Sequence, residues 1–437
     1  MKRFLLSIAA FSLGAAAPVF ATGGGEEWTL PESLHPSPGE MTTPAELQPP
    51  RQEILETGSS MECLPGKGVS FTTRDKKYSL RFCGWVRTAY FFTNYDDDRR
   101  QNTNAGNSDE DISTFDIVMA RLIAQGFING DQFRYKFEID PSDYNTATRR
   151  PLKDMWLQYR FWGEKGGDSL YFRIGQYKTG FGRGIYDAGW ARIFIYPSVV
   201  ERNFGYARSI GGVVQGAFLN NQFNFMVGAY NGRGEDRTRN TNGSMGVARV
   251  WYDFMEHFTY AEGNVAPDAP FNASLGAAVL YDPESAAANS DQVLSTEVDF
   301  AVKGMGFYGQ TSYFWRNEDG SGGNPDSKSW GWYVLGAYNF DGQNEIAARY
   351  GYIKLDDPNA QLTGAYEIKD YFLTSPTAWT RGDVTEVSLG FTHYFAGQNV
   401  KISVEGNYRI LDPNLHSGTD LPKVQDTGIA AQFQMRF

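Results

Sequence analysis

QFRYKFEID, residues 132–140, decides the fold. Phe133, Tyr135, Phe137 and Ile139 fall on one parity, and Arg134, Lys136, Glu138 and Asp140 on the other. Side chains of a strand alternate between its two faces, so this segment is apolar on one side and charged on the other. YSLRFCGWVRTAYFF (78–92) repeats the pattern. Tyr78, Leu80, Phe82, Val86 and Tyr90 oppose Ser79, Arg81, Cys83 and Arg87. In VKISVEGNYR (400–409), Val400, Ile402, Val404 and Tyr408 oppose Lys401, Ser403, Glu405 and Arg409. A half-buried soluble sheet gives the same alternation, so the joins between strands carry the decision.

About sixteen such strands are expected, near 78–92, 113–127, 131–140, 151–162, 168–177, 209–219, 222–231, 244–255, 271–282, 293–303, 305–316, 329–340, 343–355, 383–395, 398–410 and 427–437. Joins after even-numbered strands are mostly tight: Asn129-Gly130, Asn220-Asn221, Gly304, Asp341-Gly342 and Gly397-Gln398. Joins after odd-numbered strands are mostly long and polar, such as 231–243 and 356–382. The join at 256–270 is longer than this rule predicts. Long–short alternation around an even number of antiparallel strands is the pattern of a bacterial outer-membrane barrel. The last strand closes it: Ile429, Phe433, Met435 and Phe437 alternate with Gly428, Gln432, Gln434 and Arg436, and the final residue is aromatic. The expected fold is all-β, a 16-stranded antiparallel transmembrane β-barrel in outer-membrane lipid. Its C-terminal strand ending in Phe437 would be the segment offered to the barrel-assembly machinery.

The remaining composition fits. Aromatic residues reach 15% and glycines number 48, which suits many alternating strands and turns. Lys2 and Arg3 precede an apolar run from Phe4 to about Ala17, and Val19-Phe20-Ala21 fits a cleavage site, so 1–21 is expected to be a signal peptide. Residues 22–66 carry Pro31, Pro36, Pro38, Pro44, Pro49, Pro50 and Pro65 and read as a Pro-rich periplasmic arm, with the barrel at 67–437. No later run of eighteen apolar residues exists to form a spanning helix. A net charge of −11 disfavours nucleic acid as a partner. Cys63 and Cys83 are a disulfide candidate in an exported chain, with free thiols or a metal pair as the alternatives.

KTGFGRGIYDAGWAR (178–192) raises the functional question, because it follows the fifth strand and does not turn. Between 178 and 208, Lys178, Arg183, Arg192, Arg202 and Arg208 outnumber Asp187 and Glu201, in a protein that is acidic as a whole. Gly180, Gly182, Gly184 and Gly189 allow bends, and Phe181, Trp190, Phe194 and Tyr196 offer wedges against a wall. Sixteen strands leave an aqueous channel, and an inward-folded cationic loop would narrow it and focus the field on anions. A basic external loop is the other reading.

Lipid sets which strand face points in, since Arg or Lys at the midplane of the lipid face costs about 2–4 kcal/mol. Arg81, Arg87, Arg121, Arg134, Lys136, Arg160 and Arg173 are therefore expected on the pore wall. Arg249, Lys303, Arg349, Lys401, Arg409 and Arg436 share that parity, as do Glu138, Asp140, Asp154, Asp253, Glu297, Asp299, Glu345, Glu386 and Glu405. The expected lumen is polar, mixed in sign and tilted basic. Such charges either recognise an ion or merely pair with one another.

SLYFRIGQYKTGFG (169–182), VVERNFGYARSIGGVVQG (199–216) and FNFMVGAYNG (223–232) resemble, in type and order, segments of the phosphate-selective porin O/P family. FDIVMARLIAQGFINGDQFRYKFEID (115–140) and LKDMWLQYRF (152–161) resemble its early strands. The similarity runs from about 78 to 437 and implies a homotrimeric, anion-tending porin of a Gram-negative outer membrane. It implies pore passage for small anions or other hydrophilic solutes, possible phosphate preference, and no cofactor. Thr179-Gly180 stands where that family usually has a proline, and Ser209 where an aspartate often follows the arginine.

An enzyme would need a nucleophile, a base and an orienting group. The histidines are His35, His257, His393 and His416, with His393 on lipid-facing parity, and no metal cluster, phosphate-cradling loop or nucleophile elbow accompanies them. No catalytic or metal site is therefore expected. A non-conducting structural or adhesive outer-membrane barrel is the alternative to a porin.

Overall fold

The computed structural model describes residues 53–54, 60–64, 66–94, 111–143, 151–164, 167–186, 189–232, 243–283, 290–320, 326–355, 383–412 and 423–437. The expected leader 1–21, the arm as far as residue 52, Asp187, His35, His416 and the join 356–382 lie outside the described residues.

Alternating segments pair edge to edge until the sheet closes on itself. The barrel runs through β4 (Tyr78–Asn94), β5 (Ile112–Ile128), β6 (Phe133–Ile139), β7 (Leu152–Gly163), β8 (Ser169–Phe181), β9 (Tyr206–Phe218), β10 (Phe223–Tyr230) and β11 (Met245–Asp253). It continues through β12 (Asn272–Asp282), β13 (Ser290–Gly304), β14 (Phe307–Gly320), β15 (Ser327–Asn339), β16 (Asn344–Leu355), β17 (Asp383–Tyr394), β18 (Val400–Asp412) and β19 (Val424–Arg436). Each strand pairs antiparallel with its sequence neighbour, and β19 pairs with β4 from Thr427↔Asn94 to Arg436↔Trp85, closing sixteen strands. Phe437 completes the seam: its N–H donates to the Gly84 carbonyl and its carbonyl accepts from Gly84, both at 2.9 Å. Closure leaves no barrel strand with an unpaired edge in lipid, where an unpaired backbone group is costly. The Asn129-Gly130 turn reverses with φ of 56° and 63°, a conformation Gly adopts freely and Asn tolerates.

The parity expected from the sequence holds through the barrel. Phe133, Phe137, Val227, Val250, Leu389, Val404 and Ile429 are exposed on the outer face. Arg87, Arg121, Arg134, Glu138, Arg249, Glu297, Arg349, Glu386 and Lys401 are buried inside. Aromatic residues gather toward both ends of the outer face. Phe133 stacks on Tyr159 at 4.8 Å near the short turns, and Trp330 meets Tyr352 edge-on at 5.6 Å near the long joins. His393 is on this outer rim as its parity implied, its ring 4.6 Å from Phe395 and its Nδ1 2.8 Å from Asn344 Oδ1.

Three features differ from the sequence reading. First, part of the arm is strand. β1 (Glu53–Ile54), β2 (Ser60–Leu64) and β3 (Gly68–Thr72) precede the barrel, and β3 extends the β4 edge through Val69↔Phe82 to Thr72↔Ser79. Second, Cys63 and Cys83 are both free thiols, one exposed and one buried. Cys63 lies on β2 and Cys83 on β4, with β3 between them. Two strand spacings are about 10 Å, beyond the roughly 7 Å between Cα atoms that a disulfide can span. Third, the lumen is not uniformly polar. Phe181, Phe194, Val200, Phe204, Phe258, Tyr260, Phe314, Tyr333 and Leu335 belong to one buried apolar cluster. Two segments folded into the barrel need that cluster as a packing surface.

Candidate pore constriction

The loop after β8 turns inward because its backbone finds partners on the wall. Gly182 bends the chain at φ +94°, and Glu297 of β13 accepts from the N–H groups of Gly182 at 2.9 Å and Arg183 at 2.8 Å. One helical turn, Arg183–Tyr186, follows. A second, Val199–Phe204, is capped by Ser198, whose Oγ accepts from Glu201 N–H at 3.1 Å. Between and beyond them, wall carboxylates accept loop N–H groups: Glu405 from Ile195 at 2.8 Å and Glu386 from Val199 at 3.0 Å. Wall cations donate to loop carbonyls: Arg87 to Gly189 at 2.7 Å and Ile195 at 2.9 Å, Arg349 to Tyr196 at 2.8 Å, and Arg316 to Asn203 at 2.8 Å. Hydrogen bonds to charged groups contribute about 1.5–3 kcal/mol each, so the wall charges grip an irregular backbone that water would otherwise have to satisfy.

That grip changes the setting of the loop cations named from the sequence. Arg183 is sealed: Nη1 lies 2.9 Å from Asp299, and the guanidinium stacks 4.7 Å from the Tyr260 ring centroid. Asp299 and Glu297 also bind Arg249, at 2.5 and 2.9 Å. Arg202 joins Arg349 and Arg409 on the Glu386 carboxylate, at 3.2, 3.1 and 2.8 Å. Arg192 donates to the Gly184 carbonyl at 2.9 Å, and its own carbonyl accepts from Lys401 Nζ at 2.6 Å. Glu201 accepts from Gly184 N–H at 2.7 Å and from the Tyr333 hydroxyl at 2.8 Å. Lys178 and Arg208 are not in the loop: β8 runs on to Phe181, β9 starts at Tyr206, and the two residues face each other in the ladder. The loop is therefore 182–205, shorter than its sequence bounds.

The wall residues divide into two groups. Arg87 grips the loop, and Arg81 donates to Ser70 Oγ of β3 at 2.8 Å, at the rim. The others line β5 to β9, and most are paired. Arg121 meets Glu138 and Asp140 at 2.8 Å each, Arg134 meets Asp131 at 2.5 Å, and Lys136 meets Glu138 and Asp154 at 2.7 and 2.8 Å. Arg208 meets Asp154 at 2.6 Å. Arg160 and Arg173 differ, having no carboxylate partner among the described residues. Arg173 donates to Gln158 Oε1 at 2.6 Å and lies 4.3 Å over the Trp156 ring.

Sequence reasoning missed a second inward segment. Residues 254–271 join β11 to β12 on the side of the short turns, yet Phe258, Tyr260, Glu262 and Val265 are buried. Glu262 accepts from the Ile193 N–H of the loop at 3.1 Å, and the Tyr186 and Tyr260 rings meet edge-on at 5.4 Å. The excess length at 256–270 was the available signal. Among the described residues no cluster of His, Cys, Asp and Glu could hold a metal ion.

A profile of the family described as phosphate-selective porin O and P matches residues 86–437. No curated protein matches the chain. Among solved structures, the outer membrane channel DcaP of Acinetobacter baumannii is similar at 15% identity and a TM-score of 0.51, covering 85% of this chain and 100% of its own. A complex of OmpF from Salmonella typhi with daunomycin is similar at 14% identity and a TM-score of 0.48, covering 82% and 98%. OmpT, an outer membrane protein of Vibrio cholerae, is similar at 13% identity and 0.48, with the same coverages.

Proposed function

The chain belongs to the phosphate-selective porin O and P family, an outer-membrane porin of a Gram-negative bacterium, and on that premise we propose a diffusion pore for small hydrophilic solutes that leans toward anions. Its water path runs along the β5–β9 wall, away from most of the strands that grip the loop. The observation that carries this reading is the uneven seating of loop 182–205: most of its backbone bonds to the wall go to Glu297, Arg316, Arg349, Glu386, Glu405, Gln434 and Arg87, on β13, β14, β16–β19 and β4, while Lys178 of β8 reaches the Tyr186 carbonyl at 3.0 Å. Paired charges on the open wall largely cancel, whereas Arg160 and Arg173 contribute net positive potential in a narrow passage. The arginine fork suits phosphate oxygens, so inorganic phosphate is the solute to test first. A homotrimer, and recognition of the exposed Phe437 end by the barrel-assembly machinery, are proposed with it on family membership.

Current through the purified protein in a planar bilayer under a KCl gradient tests the reading. A reversal potential on the anion side, with chloride current reduced by added phosphate, supports an anion pore that takes phosphate. Ohmic current with no anion bias supports a general porin and removes the preference. A second reading, the plugged non-conducting barrel, is favoured by the meeting of 182–205 and 254–271 inside the lumen. Absence of current would establish it.

A further inference from the structure

Every other join at the short-turn mouth is a brief reversal, but 254–271 climbs into the barrel and turns back at Gly263 and Asn264, with φ of 64° and 50°. The tip rests on the wall through Asn264 N–H, which donates to Glu345 at 2.7 Å. It touches the constriction loop through Glu262, whose carboxylate accepts from Ile193 N–H and whose carbonyl accepts from Gln398 Nε2 at 3.0 Å. We propose that this join is a latch that sets the position of the constriction loop from the opposite mouth, with Glu262 as the positioning residue. The other grips on the loop come from strands locked into a closed sheet, which yield only with the barrel. Phe258 and Tyr260 anchor the base of the join in the buried apolar cluster, but its tip, residues 262–264, is held by hydrogen bonds outside the ladder and opens at lower free energy than paired strands. The Glu262–Ile193 contact is therefore where the constriction is adjustable. Solute or charge arriving at the short-turn mouth would act on the loop through it.

The inference deepens the porin reading and rests on it only for its electrical readout. The test uses the full chain with Cys63→Ser, Cys83→Ser and Ile193→Cys, which keeps the backbone N–H that Glu262 binds. The rate of labelling of residue 193 by a water-soluble maleimide is compared in this parent and with Glu262→Ala or Glu262→Gln added. Alanine is expected to speed labelling at least about tenfold, the low end for one lost hydrogen bond to a charged acceptor, and to raise single-channel conductance. Glutamine, whose amide oxygen still accepts, should stay near the parent. Equal rates in the parent and the alanine variant overturn the latch, whatever current the parent carries. A parent without current, combined with faster labelling in the alanine variant, supports the latch and removes the porin reading. If Glu262→Ala loses the heat-modifiable mobility of a folded barrel, Gln398→Ala gives the same comparison from another hydrogen bond at the tip.

Discussion

Arg183 and Asp299 form an ion pair at 2.9 Å in which neither side chain touches water. A cation so enclosed cannot meet a passing solute, so its work is to hold the loop base against β13. Arg183→Gln should leave the reversal potential unchanged and lower barrel stability, because removing one partner of a buried pair costs on the order of 3–5 kcal/mol. Thermal melting in detergent and the KCl-gradient potential measure the two effects. A changed potential with an unchanged melt would return Arg183 to the pore.

Glu386 is the opposite case, one carboxylate serving Arg202, Arg349 and Arg409 and also the Val199 N–H. Glu386→Ala strands three guanidinium groups together and frees the second helical turn of the loop. We expect a loss of stability of at least about 3 kcal/mol and a noisier, wider channel. Adding Arg202→Ala should recover part of that loss, which a double-mutant cycle measures. Strict additivity would show that Arg202 and Glu386 act independently.

The sixteen strands were legible because lipid outside and charge inside impose a period of two on each of them, and observed bounds fall within a few residues of those read from alternation. The loop was legible as an excess of length and of glycine. Its bonding was not. Whether Arg183 faces water or Asp299 depends on which strands, more than a hundred residues apart in sequence, are brought across the lumen from each other. The apolar fill was hidden for a related reason: Phe314 sits on inward parity between Ser312 and Arg316, and the loop packed against it explains it. The Cys63–Cys83 candidate pairing is set aside by one intervening strand, β3, which lies at the start of the segment read as barrel and was not among the sixteen strands read from alternation.

That geometry makes a simple prediction. Cys63 is exposed and Cys83 buried, so a maleimide should label Cys63 in the folded barrel and Cys83 only after unfolding. Reduction should leave gel mobility unchanged. A mobility shift on reduction that Cys63→Ser abolishes would show a disulfide and a different path for β2.

The β15–β16 turn carries a pH-dependent contribution. Burial tends to raise the Asp341 pKa, but the Asn344 side chain and the Gln343 and Asn344 N–H groups bond its carboxylate and bring it below the ordinary value. A folded-state pKa below the unfolded one means stability that is present above about pH 4 and lost as pH falls through the folded value. Asp341→Asn should therefore melt lower than the parent at neutral pH, with the gap closing in acid. A gap that persists at pH 2 would mean the turn depends on shape rather than on the charge.

On the proposed reading, the anion preference resides at Arg160 and Arg173. Lys136, Arg134 and Arg208 each lie within 2.8 Å of a carboxylate oxygen, so each is largely cancelled at the distance of a solute in the passage. Arg173 is held by Gln158 and the Trp156 ring, which fix its position without neutralising it. Arg173→Gln should cut the chloride-to-potassium permeability ratio about twofold, and adding Arg160→Gln should cut it further, since an uncompensated charge in a narrow polar passage acts directly on ion occupancy. Arg134→Gln should lower stability, because Asp131 loses its partner, and should shift the ratio toward cations by the charge that Asp131 exposes. The discriminating comparison is with Arg134→Gln plus Asp131→Asn, which removes a neutral pair and should restore the parent ratio. If the double variant shifts selectivity as far as Arg173→Gln does, the preference comes from the total of wall cations and not from the unpaired ones.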